Sequence, residues 1–303
     1  TEIYTLSLHD ALPISRAHCC ASGTCSLCPI DSKFTILNGL ESFDDERFAL
    51  LTDAECREVQ TAAGQASGIT VRTPTGTSAE IRGDFIALAA NPISNAAILL
   101  RSGIGGEGVG LGIHEQVGQF IWIDIPFDNY YGGTSITGLG YALYDGPFRS
   151  DAASVLIESW NAPPSLRLER GKWLQRLKLK FVAEDLPLTE NRVVLRDNNP
   201  VIVWTGHSAY AYRGLERARD SLDGLLPFAH DTPRFGKFEP TEAHLIGGTP
   251  MAASAEQGVV DTQCRVFGLS NLACLGASSF PTGAAANPTL TIAALSLYAG
   301  DQL

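Results

Sequence analysis

From Phe48 onward the chain alternates apolar and polar side chains in short runs. FALLTDAECREVQT, GITVRTPTG and AEIRGDFIALAA read as strands, with turn signals at Pro74–Gly76 and Gly83–Asp84. FIALAAN is a short apolar run suited to a buried strand. Pro92 follows it, and ISNAAILLRSG then carries helical spacing with Gly103 placed as its C-terminal cap. QFIWIDIPF is a strand, and Tyr130 to Gly146 is a glycine- and aromatic-rich stretch with β character. LRLERGKWLQRLKLKF is spaced as a helix, and RVVLRDNNPVIVWTG as a hairpin turning at Asn198–Asn199. Tyr210 to Leu226 has helical periodicity with Arg and Glu outward. From Asn271 a short strand leads through SSFPTGAAANPT into a last helix, TLTIAALSLYAGDQL. No repeat period is visible.

Gly103 to Gly108 satisfies G-x-G-x-x-G, the dinucleotide-binding pattern. That fingerprint works only between a strand and a helix, where it brings backbone N–H groups to a pyrophosphate. Here a helix precedes it and VGLGIHEQVG follows without helical spacing. The pattern therefore reads as a helix cap and a loop.

A net charge of −11 offers no basic stripe for phosphates and argues against nucleic acid. No apolar run approaches the ~18 residues of a membrane-spanning helix. The opening TEIYTLSLHDALPIS lacks a secretory pattern. It looks like a translated sequencing-library adapter, so residues 1–15 are expected to be non-native and the native part to begin near Arg16. Residues 16–40 follow as a Cys-rich loop in which Cys19, Cys20, Cys25 and Cys28 are crowded together. Such density suits a metal–thiolate site, but a zinc ribbon would need a second CxxC or a distant His pair, and neither is present. Cys56, Cys264 and Cys274 stand in apolar contexts and read as small buried hydrophobes.

The densest chemistry is C-terminal. His244 opens HLIGGTPM, and Gly247 and Gly248 let the chain turn sharply and hold the imidazole at a pocket wall. Asn287-Pro288-Thr289 directly precedes an apolar helix, whose N–H groups and dipole would face an electron-rich ring or phosphate. Gly276, Ala277 and Ser278 are small, as close approach of backbone to a flat cofactor requires. An imidazole suits a base near neutral pH, and a carboxamide can donate to a developing alkoxide. His18, His114, His207 and His230 sit in loop-like or mixed contexts and read as structural. Tyr130, Tyr131 and Tyr141 read first as packing residues.

HLIGGTPM, GVVD at Gly258 to Asp261, and RVFGLSNLACLGASSFPTGAAANPTLTIAALSLYAGDQL resemble the C-terminal signature of the glucose–methanol–choline oxidoreductase family. EDLPLTENRVVL and FIALAANPISNAAILLRSG resemble two upstream blocks in the same order. Within the family the nearest likeness is to bacterial FAD-dependent sugar or gluconate dehydrogenase large subunits. The resemblance implies α/β plus antiparallel sheet (α+β). A discontinuous FAD-binding domain, residues 41–112 and 258–303, would carry an inserted substrate-binding domain, residues 113–257. The N-terminal dinucleotide-binding segment would lie outside this sequence.

The resemblance also implies oxidation of a CH–OH group of an alcohol or sugar, with hydride passing to flavin N5, His244 as base and Asn287 as its partner. FAD would lie against Cys56, Ala90, Asn91, Gly276, Ala277, Ser278, Asn287, Pro288 and Thr289. Cys19, Cys20 and Cys25 would hold a 3Fe-4S cluster passing electrons to a cytochrome c subunit, with a small subunit as a further partner and a periplasmic or periplasmic-membrane-associated location. Cys28 departs by one position from the family's fourth cysteine. Pro250-Met251 shortens the usual segment after the Gly-Thr turn, and Asn91 stands where Gly is commoner. Two other readings stay open: a truncated, non-catalytic fragment that cannot hold FAD alone, and an iron–sulfur electron-transfer module.

Overall fold

A computed structural model describes residues 17–18, 29–32, 35, 46–129, 136–160 and 175–302. The alternating runs after Phe48 form an antiparallel meander of β1 (Glu55–Ala62), β2 (Gln65–Arg72) and β3 (Ser78–Arg82). β4 (Ile86–Leu88) is the buried apolar strand. Helix α1 (Pro92–Ser102) follows and ends on Gly103, whose N–H reaches the Leu100 and Leu99 carbonyls from a left-handed conformation. The G-x-G-x-x-G stretch is thus a helix cap followed by loop.

Five strands build the large antiparallel sheet. They are β5 (Val117–Asp124), β6 (Ile136–Leu143), β7 (Val155–Trp160), β8 (Arg176–Ala183) and β11 (Arg234–Glu239), in the order β11-β5-β8-β7-β6. Between β8 and β11 come the hairpin β9 (Arg192–Arg196) with β10 (Asn199–Val203) and helix α2 (Ala209–Leu225). β12 (Leu272–Cys274) pairs in parallel with β4, and α3 (Thr289–Gly300) closes the chain. The whole is a mixed α/β architecture with antiparallel sheets.

Three details differ from the expectation. Residues 176–181, spaced like a helix, are a strand. Leu177, Leu179 and Phe181 join the apolar core on one face, which leaves Arg176, Lys178 and Lys180 on the other. Long Lys stems between leucines mimic helical amphipathicity, and only pairing with β5 and β7 fixes the period at two. The β9–β10 turn falls at Asp197–Asn198, one residue earlier than expected, with both residues at positive φ. β7 and β11 carry no clear alternation and were not expected as strands.

Two main cores result. Ile86, Leu88, Ile98, Leu99, Val259, Val260 and Leu272 pack with α1 in the first, to which β9 contributes Val193. In the second, Ala211, Leu215, Ala218 and Leu222 of α2 cover Val117, Ile121, Leu179 and Phe181 of the sheet. α3 is unusual. It is apolar on every side, yet only Ala299 is buried, while Leu290 is 83% and Leu297 71% exposed. Among the described residues no helix is long and apolar enough to cross a membrane.

Asn95 on α1 joins the carboxyl ends of β4 and β12. Its buried amide bonds the Leu88 carbonyl (3.1 Å), the Leu275 carbonyl (3.2 Å) and Ser278 Oγ (2.8 Å), while its oxygen accepts from the Ala90 N–H (2.9 Å). Removing the side chain strands several buried groups. Asn95→Ala is expected to lower stability by about 3 kcal/mol, measured by urea unfolding, because each orphaned polar group costs about 1–3 kcal/mol.

Candidate active site

The parallel pair β4–β12 delivers two candidate segments to one place. Ala90 and Asn91 leave the end of β4, and Gly276, Ala277 and Ser278 form a 3-10 turn after β12. Crevices at the carboxyl ends of parallel strands are where α/β folds take ligands. Asn91 holds φ at 133°, where L side chains are rare, because its oxygen caps α1 at the Ser94 N–H (3.0 Å). Ser278 is fully buried, with its hydroxyl bonded to Asn95 and to the Leu275 carbonyl. It therefore shapes the turn from within, while Gly276 stands in open space. Cys56 lies in β1 opposite Val71, half-buried, and burial raises its thiol.

The chain after His244 runs beside that turn. N–H groups of Gly247, Thr249 and Met251 donate to carbonyls of Ala277 (3.0 Å), Ser278 (3.0 Å) and Ser279 (2.9 Å). On its other side Ile246 exchanges two backbone bonds with His114. HLIGGTPM is thus clamped between the glycine-rich loop and the small-residue turn.

His244 itself is held from the start of β5. Its backbone N–H lies 3.0 Å from both Glu115 carboxylate oxygens, one of which also accepts from Thr241 Oγ1 at 2.9 Å. Its Nδ1 lies 2.7 Å from Gln116 Oε1, and Gln116 Nε2 reaches the carbonyls of Ala284 (2.6 Å) and Ala286 (3.0 Å). Asn287 follows directly on that loop. Its carboxamide is exposed and makes no hydrogen bond to another described residue, so it is free to meet a ligand. Burial pushes the His244 imidazole down. Glu115 and Glu158 oppose this and Lys180 adds to it, and the net value lies below that of an ordinary histidine.

A cleft of about 570 Å³ lies over the loop, lined by Tyr144, Ile246, Phe280, Gly283, Asn287 and Leu295 among others. It has the size and apolar lining of a cofactor or substrate pocket. A Cβ at Gly283 would stand 2.7 Å from Ile246 Cδ1, so a larger residue there would make that side chain shift. Beneath it His114 is buried with its Nδ1 2.7 Å from the Gly112 carbonyl, and its Nε2 has no partner among the described residues. Pro288 caps α3 without a side-chain bond, so the first N–H groups of that helix stay open. A flat, largely apolar ring system with polar edges fits this lining. The isoalloxazine ring of FAD is such a group.

Asn287 and Pro288 line this cleft and Thr289 does not, while Ala90, Asn91 and Gly276 to Ser278 meet at the β4–β12 crevice. Cys56 packs against the first apolar core and is not among the residues that line the cleft. Cys19, Cys20, Cys25 and Cys28 lie outside the described residues, as do Tyr130 and Tyr131. Among the described residues no group of three His, Cys, Asp or Glu side chains could hold a metal ion. Tyr141 is exposed and stacks edge-on against Tyr144 of the cleft.

Sequence reading passed over Glu115, Gln116, Asn95 and the second face of the large sheet. There Lys180 pairs with Glu242, Lys178 and Lys180 stand 4.2 and 4.6 Å above the Phe120 ring, and Trp160 donates to Glu158 at 2.8 Å. The available signal was three polar residues, His114-Glu115-Gln116, set between Ile113 and Val117 in a run that must be buried.

Residues 209–296 match the GMC oxidoreductase family. That segment belongs to the family. Over 84% of its length the chain is 25% identical to 2-methyl-1,2-propanediol dehydrogenase of Mycolicibacterium austroafricanum, spanning 54% of that protein. Over 95% it is 24% identical to the fructose dehydrogenase large subunit of Gluconobacter japonicus, spanning 60%. Among solved structures, a variant of Aspergillus oryzae RIB40 formate oxidase, studied for its FAD modification, superposes with a TM-score of 0.60 at 14% identity, covering 87% of this chain and 62% of that one. The chain thus spans about half the length of the curated relatives it matches first.

His207 anchors the segment leading to His244. Its Nδ1 lies 2.8 Å from Asp185 Oδ2 and its Nε2 2.9 Å from the Pro240 carbonyl. Both partners accept only, so the doubly bonded ring is an imidazolium. Burial works against the charge, but the Asp185 hydrogen bond and the Pro240 carbonyl outweigh it and hold the imidazole above its ordinary value. The stability this supplies is present in full below the unfolded value of about 6.5 and is lost as pH rises through the raised folded value. Thermal midpoints across about pH 6 to 9 should therefore fall with rising pH, and Asp185→Asn should flatten that slope.

Proposed function

We propose that this chain is part of an FAD-dependent oxidoreductase acting on a CH–OH group of an alcohol or sugar, with His244 as general base and Asn287 as the donor to the substrate oxygen. The observation that carries the reading is the Gln116 amide, which bonds the His244 imidazole on one side and the loop entering Asn287 on the other. We place the FAD-binding domain in residues 41–112 and 258–303 and the substrate domain in 113–257. FAD would be held by Ala90, Asn91, Gly276, Ala277 and Ser278, by Asn287, Pro288 and the open N–H groups of the first helical turn beginning at Thr289, and by Cys56 on the family resemblance. When bound it supplies the hydride acceptor.

The chain's own part is then proton management and orientation. A neutral imidazole whose value lies below the ordinary range is ready to take the hydroxyl proton at neutral pH. The Asn287 carboxamide can donate to the oxygen as that proton leaves.

His244→Ala in the full-length enzyme should lower turnover by about 10²- to 10⁴-fold while bound flavin keeps its normal spectrum. In wild type kcat/KM should fall on the acid side with a midpoint below about 6.5, since protonation removes the base. Unchanged turnover in the variant would remove His244 from this role.

Delivery of electrons to a cytochrome c subunit, a small subunit, a 3Fe-4S cluster on Cys19, Cys20 and Cys25, and a periplasmic location rest on the sequence resemblance. The likeness to a fructose dehydrogenase large subunit supports the partner subunit in kind. A second reading, that this chain by itself does not hold FAD, is favoured by the apolar, exposed flank of α3. The purified chain distinguishes the two. Flavin absorbance bands that survive gel filtration favour the first reading, and a colourless product favours the second.

A further inference from the structure

Gln116 is 2% exposed and stands where the His244 segment, the Ala284–Ala286 loop and the start of β5 meet. Its Nε2 faces two backbone carbonyls, Ala284 at 2.6 Å and Ala286 at 3.0 Å. Carbonyls only accept, so the end of the amide that faces them is the NH₂ group, with both hydrogens in use. The end that faces His244 Nδ1 at 2.7 Å is then the amide oxygen, which also only accepts. Nδ1 must carry the hydrogen. A neutral imidazole has one such hydrogen, which leaves the lone pair on Nε2.

We propose that Gln116 is a positioning residue that fixes His244 as the Nδ1–H tautomer and, through the same amide, sets the loop that delivers Asn287. The proposal rests on the reading of His244 as the base, and supplies the reason that its lone pair points away from β5. An imidazole without such a partner samples both tautomers, and the Nε2–H form cannot take a proton at Nε2. Glu115 divides the work with Gln116. Its carboxylate accepts the His244 backbone N–H and Thr241 Oγ1, so the main chain is fixed separately from the ring. The Ala284–Ala286 loop also brings Ala285 into contact with Leu156 of β7 and Val182 of β8, so the register of the large sheet reaches the Asn287 loop from a second side.

The charged groups that act on the ring are Glu115 at the entry to β5, Glu158 of β7 and Lys180 of β8. Replacing Gln116 by Glu adds a negative charge beside Nδ1 and removes both donors to the loop. An added carboxylate within hydrogen-bond reach favours the imidazolium.

The test is NMR of the full chain labelled with ¹⁵N-histidine, with the His244 ring signals assigned by their loss in His244→Ala. Above its titration midpoint, wild-type His244 should show a protonated Nδ1 and a lone-pair Nε2. Gln116→Ala should move both signals toward the average of the two tautomers. Gln116→Glu should raise the midpoint by about one pH unit or more. An Nε2–H tautomer in the wild type, or a tautomer and midpoint that neither variant changes, would overturn the proposal. The wild-type spectrum alone decides should Gln116→Ala not fold. This readout needs no turnover, so it fails separately from the base assignment, which falls on retained activity of His244→Ala.

Discussion

Two polar side chains, Glu115 and Gln116, enter the protein interior at the start of β5, and burying them there costs free energy unless every polar atom finds a partner. The partners are the His244 backbone N–H and ring, Thr241, and the carbonyls of Ala284 and Ala286. None of these belongs to β5. Satisfying the pair therefore draws together segments more than a hundred residues apart in sequence. The strand meets the conditions for such a junction two residues later, at Gly118, where a side chain would collide with Glu242 and with the Lys180 stem. The candidate site is in this sense a by-product of a buried polar strand end that has to be paid for by hydrogen bonds.

The large sheet serves this junction with its two faces in different ways. One face is apolar and is covered by α2, which fixes the strand positions by packing. The other carries Lys178, Lys180, Glu158 and Glu242 among aromatic rings, largely removed from water. Burial raises the Glu242 carboxyl, opposed by its pairing with Lys180, and pushes the Lys178 ammonium down. Buried charges of this kind add little net stability. Glu158 and Lys180 of this face do bias the His244 imidazole, in opposite directions. His207 works further out, holding the Pro240 carbonyl ahead of Thr241, Glu242 and His244.

Much of the fold could be read from local pattern, because the elements with clean periodicity are those with one wet and one dry face. β1, β2, α1 with its glycine cap, and α2 fall in that class, whereas β3 is exposed at every residue. β8 does not: its polar face is buried too, so Lys178 and Lys180 between leucines suggested a solvent-facing helix. The HLIGGTPM segment was legible as chemistry because its histidine stands beside two glycines that turn the chain sharply, and the AANPT loop because its carboxamide directly precedes an apolar helix. Glu115, Gln116 and Asn95 were not legible. Their role is to bond groups that are distant in sequence, and an amide or carboxylate inside an apolar run says that a partner exists without saying which. Asn91 lies between these cases. Its positive φ explains why glycine would be at home there, and its capping bond explains why asparagine is retained.

The account turns on the His244 ring and the Asn287 carboxamide serving one substrate oxygen. A crystal structure of the full-length enzyme with FAD and a bound substrate analogue measures this directly. It should show His244 Nε2 and Asn287 Nδ2 both within about 3 Å of the same oxygen, with Gln116 behind the ring. An imidazole and a carboxamide that face separate cavities, with the analogue's oxygen held by other groups, would contradict it.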